Sequence, residues 1–127
     1  MPLKPGESMS NLPLISITVC MRNAEHWVDD CMKALTQQTY RPLEIIAVDD
    51  GSTDEGLSKL QHWKGDQNGI PVKVLQQSAM GLSAGRNLAV GESQGEWVAI
   101  TDIDCRPDPY WISEMFEVSR GLENERA

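Results

Sequence analysis

The sequence predicts an α/β domain with a mostly parallel sheet that is covered by helices on both faces. Short apolar runs alternate along the chain with segments whose apolar residues repeat at helical spacing, in the order β-α-β-α-β-α-β-α. Two of these runs, Leu14–Cys20 and Leu43–Asp49, are almost continuous, which is typical of strands buried on both faces of a parallel sheet. At 127 residues, the chain has the length of one domain or part of one.

The first half of the chain predicts two strand–helix units. Leu14–Cys20 is the first strand, and a helix that ends near Gln38 follows it, because apolar residues recur there every fourth position after a suitable N-cap residue. The N-cap residue is Asn23, and the apolar residues are Trp27, Cys31 and Leu35. After the second strand, Ser52 and Glu55 have the spacing of a capping box, which predicts a helix start at Thr53.

The second half predicts two further units. Lys64–Gly69 is expected to be a polar turn, and Pro71–Leu75 a short third strand near an edge, because proline cannot donate to a central ladder. A helix is expected within Gly81–Gly91 and a fourth strand over Trp97–Ile100. Asp108 suits the N-cap of a last helix, since a proline follows it.

Composition, charge and cysteine count exclude several classes of function. The net charge of −8 argues against nucleic acid as a partner. No apolar run approaches the roughly 18 residues of a membrane-spanning helix. Residues 1–11 lack the apolar region of a signal peptide, so we expect a flexible leader before a single unit at 12–127. Three cysteines without a C-x-x-C pair predict reduced thiols in the cytoplasm.

Two adjacent acids end the second strand. Asp49 and Asp50 precede Gly51–Asp54 in the turn before the next helix. A carboxylate there can accept hydrogen bonds from a nucleobase or from ribose hydroxyls, whereas the alternative is ordinary turn and capping chemistry. Two consecutive acids exceed what a turn needs, so Asp49 and Asp50 are candidate ligand-binding residues.

Asp102 and Asp104 form a second acidic pair, directly after the fourth strand. If the backbone stays extended, both carboxylates point to one side, roughly 6.5 Å apart along the chain. An EF-hand is excluded because Arg106 and Pro107 occupy positions that need a ligand and a glycine. Asp-x-Asp is a common spacing, but its place opposite the first acidic pair favours Mg²⁺ or Mn²⁺, with a diphosphate completing the shell.

A run of small residues opens the third predicted helix. Gly81–Asn87 allows a ligand to approach the backbone closely, and Arg86 within it suits phosphate or base recognition. The run is neither G-x-G-x-x-G nor a P-loop. Taken alone, it is a weak signal.

Taken together, these stretches resemble the nucleotide-sugar-binding half of the family 2 glycosyltransferases, which are inverting enzymes with the GT-A fold. The resemblance covers roughly residues 12–120 in the right order. It is carried by Leu14–Asn23, Gln37–Asp54, Gly81–Asn87, Gly95–Asp104 and Pro107–Trp111. It implies a Rossmann-like GT-A domain that binds a nucleotide-sugar donor, most simply a UDP-sugar, with Mg²⁺ or Mn²⁺.

The resemblance also implies roles for single residues. The loop after the first strand would contact the nucleoside, Arg86 would lie near the base or the diphosphate, and Asp102 near the ribose or the metal. The nucleotide-contacting residues expected in this way are Val19, Met21, Asn23, Asp49, Asp50, Arg86 and Asp102. The expected metal ligands are Asp102 and Asp104.

One part of the family pattern is missing. Inverting transfer needs a carboxylate as general base for the acceptor hydroxyl, and the family carries it in an acceptor half, often as a Glu-Asp pair. Nothing after Asp108 supplies that pair or the Gln-x-x-Arg-Trp motif. We therefore interpret the chain as a truncated fold and a fragment of a longer protein, which could itself be membrane-associated. No catalytic residue is assigned, and the acceptor is unknown.

Two further expectations accompany this interpretation. A cut sheet exposes an apolar edge, so a homo-oligomer formed through that edge is expected. The alternatives to a donor-binding domain are a non-catalytic nucleotide-binding or interaction module that retains the fold, and a nucleotidyltransferase. The Gly-rich basic loop that is usual in nucleotidyltransferases is absent after the first strand.

Overall fold

The computed structural model describes residues 12–126, with side chains described up to residue 121. Five strands and four helices alternate along this part of the chain. They are β1 (Ile15–Met21), α1 (Val28–Thr36), β2 (Leu43–Asp50), α2 (Gly56–His62), β3 (Gly65–Gln67), β4 (Ile70–Gln77), α3 (Leu82–Glu92), β5 (Trp97–Asp102) and α4 (Trp111–Arg126). None of the helices in the described part of the chain is long and apolar enough to cross a membrane.

The strands form one sheet in the order β3-β4-β2-β1-β5. Four of the strands, β4, β2, β1 and β5, run parallel to one another. β3 pairs with β4 in the antiparallel direction. From β1 the chain moves outward through β2 to β4, and it then returns to the other side of β1 for β5. The order of strands therefore reverses between β1 and β5 at the carboxyl edge. The mostly parallel α/β sheet predicted from the sequence is confirmed.

The polar turn predicted at Lys64–Gly69 is wrong in part, because β3 lies within it. Gly65–Gln67 pairs with the start of β4 through a two-residue turn at Asn68 and Gly69, both with positive φ. The Gly69 N–H donates to Asp66 at 2.8 Å. Asn-Gly is a strong hairpin signal, so the sequence contained the information. β4 is therefore second from the edge, and the predicted third strand is longer than expected.

Helices cover both faces, as predicted. α1, α2 and α4 lie on one face, where Leu35, Leu60 and Ile112 are buried in one cluster with the β1 and β2 side chains. α3 covers the other face through a smaller cluster around Ala89. It lies close to β1, because Gly85 has no Cβ and a Cβ there would overlap the Cys20 sulfur. The site therefore stands on a rigid, doubly covered central strand.

Three helices begin later than the sequence predicts. α1 starts at Val28 rather than just after Asn23, α2 starts at Gly56 rather than Thr53, and α4 starts at Trp111. The Asp108 carboxylate accepts a hydrogen bond from the Tyr110 N–H, so it forms a turn just before α4 instead of capping it. The predicted caps of α1 and α2 make other bonds, which shape the site described below.

β5 is the edge strand opposite β3. Ala99 packs into the main cluster, whereas Val98 and Ile100 point to the α3 face. These two side chains are 38% and 54% exposed. Within the described residues, the outer edge of β5 has no strand partner. Unpaired N–H and C=O groups beside apolar side chains are a template for pairing with another chain.

We expect the chain to self-associate through β5. Replacing Val98 and Ile100 together by lysine places charges on the edge and should shift the population towards monomer. Light scattering over a concentration series measures this. The matched control is lysine at Val118, an exposed apolar residue of α4, which should leave the association unchanged. A wild-type chain that is monomeric at every concentration contradicts the prediction.

Candidate nucleotide-binding site

A cleft of about 560 Å³ lies at the carboxyl ends of β1, β2 and β5, beside the start of α3. In open α/β sheets this edge, at the reversal of strand order, is where ligands bind. The residues that line the cleft are Cys20, Met21, Arg22, Asn23, Ala24, Trp27, Asp50, Gly81, Leu82, Asp102, Ile103 and Asp104. Five residues singled out from the sequence are among them: Met21, Asn23, Asp50, Asp102 and Asp104.

The other three candidate residues do not line the cleft. The Val19 side chain is buried in the main cluster under α1. Asp49 is 2% exposed, at the end of β2. Arg86 extends from α3 and reaches the cleft through Asp102. The structure therefore brings all eight candidate residues to one end of the sheet, but not all of them to its surface.

Asp49 connects the β2 turn to the loop after β1. Its carboxylate accepts hydrogen bonds from the Ser52 N–H, at 3.1 Å, and from the Ser52 hydroxyl. The Ser52 Oγ accepts the Asn23 N–H, and the Asn23 side chain accepts the Thr53 N–H at 2.7 Å. The predicted Ser52–Glu55 capping box and Asn23 N-cap are therefore wrong, because both side chains join two loops instead. This network positions one wall of the cleft.

Asp50 holds the opposite wall. It is 1% exposed, and its carboxylate accepts the Gln77 amide and the Met80 N–H at 2.8 Å each, and the Gly81 N–H at 3.1 Å. The Gln77 hydrogen bond, with those from Met80 and Gly81, holds the pKa of Asp50 below its ordinary value. Asp50 is thus an ionised anchor for the loop that leads into α3.

Gly51 allows the two anchored loops to meet. Its φ of +70° lies in the left-handed region, which a glycine adopts without strain. A Cβ at this position would lie 2.7 Å from the backbone nitrogen of Ala79, in the loop that Asp50 holds. Glycine is required here by conformation and by space.

The second acidic pair lies on a turn rather than on extended backbone. β5 ends at Asp102, and the Cys105 N–H donates to the Asp102 carbonyl at 3.0 Å. The expectation that the backbone stays extended through Asp104 is therefore wrong. The turn nevertheless brings ligand atoms of Asp102, Asp104 and Cys105 within 4.8 Å of one another. The two carboxylates come together because the chain turns after Asp102, and not because residues two apart on an extended strand point to the same side.

Three contacts tether this turn, which we call the acidic turn (Asp102–Cys105). Arg86 of α3 contacts the Asp102 carboxylate at 3.0 Å. The Cys31 thiol of α1 lies 3.9 Å from the Asp102 carbonyl oxygen. Directly after the turn, Arg106 contacts Asp30 of α1 at 3.4 Å. Helices from both faces of the sheet therefore hold the acidic turn at the mouth of the cleft.

The donor set suits a hard divalent cation. All three side chains of the acidic cluster are exposed, so the cost of desolvating their charges is small. Carboxylate oxygens are the ligands that Mg²⁺ and Mn²⁺ prefer, and these ions keep water or substrate oxygens in the remaining positions. Asp102 and Asp104 would each supply a carboxylate ligand to such an ion.

Sequence reasoning missed two functional candidates, Gln77 and Cys105. Gln77 ends β4 and carried no motif, so only the three-dimensional contact with Asp50 reveals it. Cys105 was visible beside the acidic pair but formed no metal-binding pattern with the other cysteines. Cys31 was expected on the apolar face of the first helix, and it is fully buried there. Burial, followed by the nearby Cys105 and Asp104, raises the pKa of Cys31 to about 12.

The mostly parallel sheet, its helices on both faces and the cleft at its carboxyl edge define the chain as an α/β domain of GT-A type. Its family follows from the sequence match. Residues 16–123 match the model of glycosyl transferase family 2, and the chain belongs to this family.

A relative agrees with this assignment. An uncharacterized glycosyltransferase of Haemophilus influenzae is 35% identical over 107 residues, which are 84% of this chain and 33% of that protein. Two putative or uncharacterized glycosyltransferases of Bacillus subtilis match over 30% and 29% of their lengths. The chain thus spans about a third of the length of the curated relatives it matches.

Solved structures show the same fold. TarS of S. aureus, residues 1–349 in complex with UDP, superposes with a TM-score of 0.72 at 25% identity, over 81% of this chain and 31% of that one. A mannosyltransferase of Pyrobaculum calidifontis, solved with GDP-Man and Mn²⁺, has a TM-score of 0.71 at 24% identity, over 80% and 31%. The second likeness shows the fold alone.

Proposed function

We propose that this chain is the donor-binding portion of a family 2 glycosyltransferase. It binds a nucleotide-diphospho-sugar, UDP-linked, together with Mg²⁺ or Mn²⁺, for inverting transfer of the sugar to an acceptor hydroxyl. The observation that carries the proposal is the position of the Asp102 and Asp104 carboxylates. They converge at the mouth of a cleft whose walls are fixed by buried side chains.

The nucleoside is proposed to lie in the cleft between the loop after β1 and the start of α3. Met21 and Asn23 line one side, and Gly81 and Leu82 line the other. Asp50 is almost fully buried, and its carboxylate accepts a hydrogen bond from the Met80 N–H. Its proposed role is therefore to position the wall of the cleft rather than to contact the nucleoside. The UDP complex of TarS, a protein 25% identical to this chain, supports uridine diphosphate as the ligand class.

The diphosphate is proposed to lie above the acidic turn. Asp102 and Asp104 would hold a divalent cation there, and this cation would neutralise the charge that develops on the diphosphate leaving group. Arg86 contacts Asp102 and orients its carboxylate. The net charge of −8 makes such a cation necessary in our proposal, since a bare diphosphate would be repelled.

The acceptor hydroxyl needs a general base in an inverting transfer. The carboxylates that line the cleft have other roles in this proposal, because Asp50 anchors a loop and Asp102 and Asp104 would hold the metal. We propose that the base belongs to the remainder of a longer protein, given that the matched relatives are about three times as long. We also place the protein in the cytoplasm, in keeping with its free thiols Cys20, Cys31 and Cys105.

Calorimetric titration with UDP, with and without Mn²⁺, tests the proposal. Mn²⁺ is expected to strengthen UDP binding by at least about tenfold, which is 1.4 kcal/mol. UMP serves as the matched control ligand: because it lacks the second phosphate, the ion should strengthen its binding much less. Equal affinity for UDP with Mn²⁺ and with EDTA contradicts the metal site, and absence of any UDP binding contradicts the donor-binding function.

A further inference from the structure

We propose that Trp27 forms a platform on which the sugar ring of the donor lies, and that it thereby takes part in the choice of sugar. The inference rests on the proposed function, because it concerns the sugar part of the same donor. The ligand class is a hexopyranose joined to the diphosphate, which would lie with its C–H face against the indole ring.

Trp27 differs from the other tryptophans of the chain in its exposure. Trp63, Trp97 and Trp111 are partly buried and pack against the main cluster of the core. Trp27 belongs to neither core cluster and is 44% exposed. Its place in the four-residue repeat predicts a buried position on the first helix, but α1 begins only at Val28. The structure thus places a large aromatic side chain in the cleft rather than in the core.

The backbone around Trp27 fixes its position. The Trp27 N–H donates to the Ala24 carbonyl at 2.9 Å, and the Trp27 carbonyl accepts the Cys31 N–H at 3.1 Å. The next residue, Val28, is fully buried at the start of α1. An aromatic side chain has only two rotatable bonds, so on a fixed backbone it loses little conformational entropy when a ligand binds. The indole is therefore a pre-organised surface.

The direction of α1 brings Trp27 next to the acidic turn. Because β1 and β2 are parallel, the helix that joins them runs opposite to the strands, and its first residues lie at the carboxyl edge. Cys31 lies one helical turn after Trp27 on the same side, and its thiol is 3.9 Å from the Asp102 carbonyl oxygen. Trp27 therefore lies on the α1 side of the acidic turn, and it lines the cleft together with Asp102 and Asp104.

The acidic turn lies between two helices that cover opposite faces of the sheet. α3 begins at Leu82, and its Arg86 contacts the turn from one face. α1 contacts the turn from the other face through Cys31. In the proposed function the nucleoside lies on the α3 side and the diphosphate at the turn. Because the diphosphate joins the nucleoside to the sugar, the sugar is directed to the α1 side, where Trp27 lies.

The chemistry of an indole suits a sugar ring. A hexopyranose has a face that consists largely of C–H groups, whereas most of its hydroxyls point outwards from the rim. C–H groups carry a small positive charge and pack well against the negative face of an aromatic ring. Asp102 and Asp104 can hold the metal but offer no flat apolar surface. Trp27 thus supplies a contact that depends on the shape and orientation of the sugar.

Calorimetry on the whole chain in the presence of Mn²⁺ tests the assignment. The ligands are UDP and three UDP-sugars, namely UDP-glucose, UDP-galactose and UDP-GlcNAc. Trp27→Ala is expected to lower the affinity for the UDP-sugar that binds the wild type most tightly by about threefold to tenfold. The affinity for UDP should change by less than about twofold, because UDP lacks the sugar. Trp27→Phe should recover most of the loss, since it keeps an aromatic face.

The matched control is Tyr110→Ala. Tyr110 is also an exposed aromatic residue, at 55%, but it does not line the cleft. Its removal should leave the affinities for UDP and for the UDP-sugars unchanged. Because Trp27 and Tyr110 are both exposed, the melting temperatures of all three variants should stay close to that of the wild type.

The outcomes separate this inference from the proposed function. If Trp27→Ala lowers the affinities for UDP and for the UDP-sugars by the same factor, Trp27 contacts another part of the donor and the platform is overturned. Unchanged affinities in Trp27→Ala overturn it as well. If the wild type binds UDP with Mn²⁺ but none of the three UDP-sugars, the UDP site stands and the platform fails. If UDP does not bind at all, the proposed function fails, and the platform fails with it.

Discussion

Asp104→Asn is expected to remove most of the UDP affinity that Mn²⁺ confers, a loss of about 10–100-fold. The substitution keeps the size of the side chain but replaces an anionic ligand by a neutral amide, which binds a hard cation far more weakly. Asp104 is exposed on the acidic turn and makes no ion pair within the described residues. The fold should therefore survive, with a melting temperature close to that of the wild type. Calorimetry with UDP and Mn²⁺ measures the loss.

The matched control for this variant is Asp66→Asn. Asp66 is also an exposed aspartate, but it lies on β3 at the far edge of the sheet, where it accepts the Gly69 N–H. It changes the net charge by the same amount, so a general electrostatic effect on UDP binding would be equal in both variants. Equal UDP affinities of Asp104→Asn and Asp66→Asn in the presence of Mn²⁺ would contradict the assignment of Asp104 as a ligand.

Asp50→Asn is expected to weaken both the fold and UDP binding. The amide cannot accept hydrogen bonds at both ends, so it leaves an N–H group of the Met80–Gly81 loop facing an N–H donor. We expect the melting temperature to fall by roughly 5–10 °C. UDP affinity should fall as well, because the wall that Gly81 forms loses its anchor. Thermal denaturation at neutral pH and calorimetry measure the two effects.

The pH dependence of the same variant has a defined sign. Because the folded pKa of Asp50 is lowered from 3.8, the stability it contributes is fully present above 3.8 and is lost as the pH falls through the folded value. The gap in unfolding midpoint between wild type and Asp50→Asn should therefore be widest near neutral pH and should close in acid. Asp66→Asn serves again as the control. A gap that widens below pH 3.8 would contradict the role of Asp50 as an ionised anchor.

The sheet was predictable because its strands are intrinsically apolar. Ile15–Met21 is buried at every position, and this shows in the sequence as a run that is almost continuously apolar. α1 was predictable from the four-residue repeat that ends at Leu35. β3 was not predictable from its own residues, because Gly65–Gln67 has no apolar pattern; its signal in the sequence is the Asn68-Gly69 turn that follows it.

The starts of the helices were not predictable, because side chains far apart in sequence compete for the same groups. Ser52 has the sequence spacing of a cap, but Asp49 and Asn23 engage it first. Asn23 likewise bonds to Thr53, 30 residues away. Local rules describe what a side chain can do within one turn, and here the tertiary contacts take precedence.

The residues of the candidate site were predictable, but their hydrogen bonds and backbone conformations were not. The sequence identified Asp50 and Asp102 as residues at one end of the sheet, because both follow strands of a parallel sheet. It did not show that the Asp50 carboxylate accepts a hydrogen bond from Gln77, or that Asp102 begins a turn. Whether the expected nucleotide contacts form stays a prediction.

The alternation of side chains along β2 has a mechanical consequence. Asp49 faces the α1 side and holds one wall through Ser52, while Asp50 faces the α3 side and holds the other through Gly81. Both walls are thus hydrogen-bonded to consecutive residues at the end of one strand. Any displacement of that last peptide moves the two walls in concert. The width of the cleft is therefore expected to depend on the backbone position of these two residues.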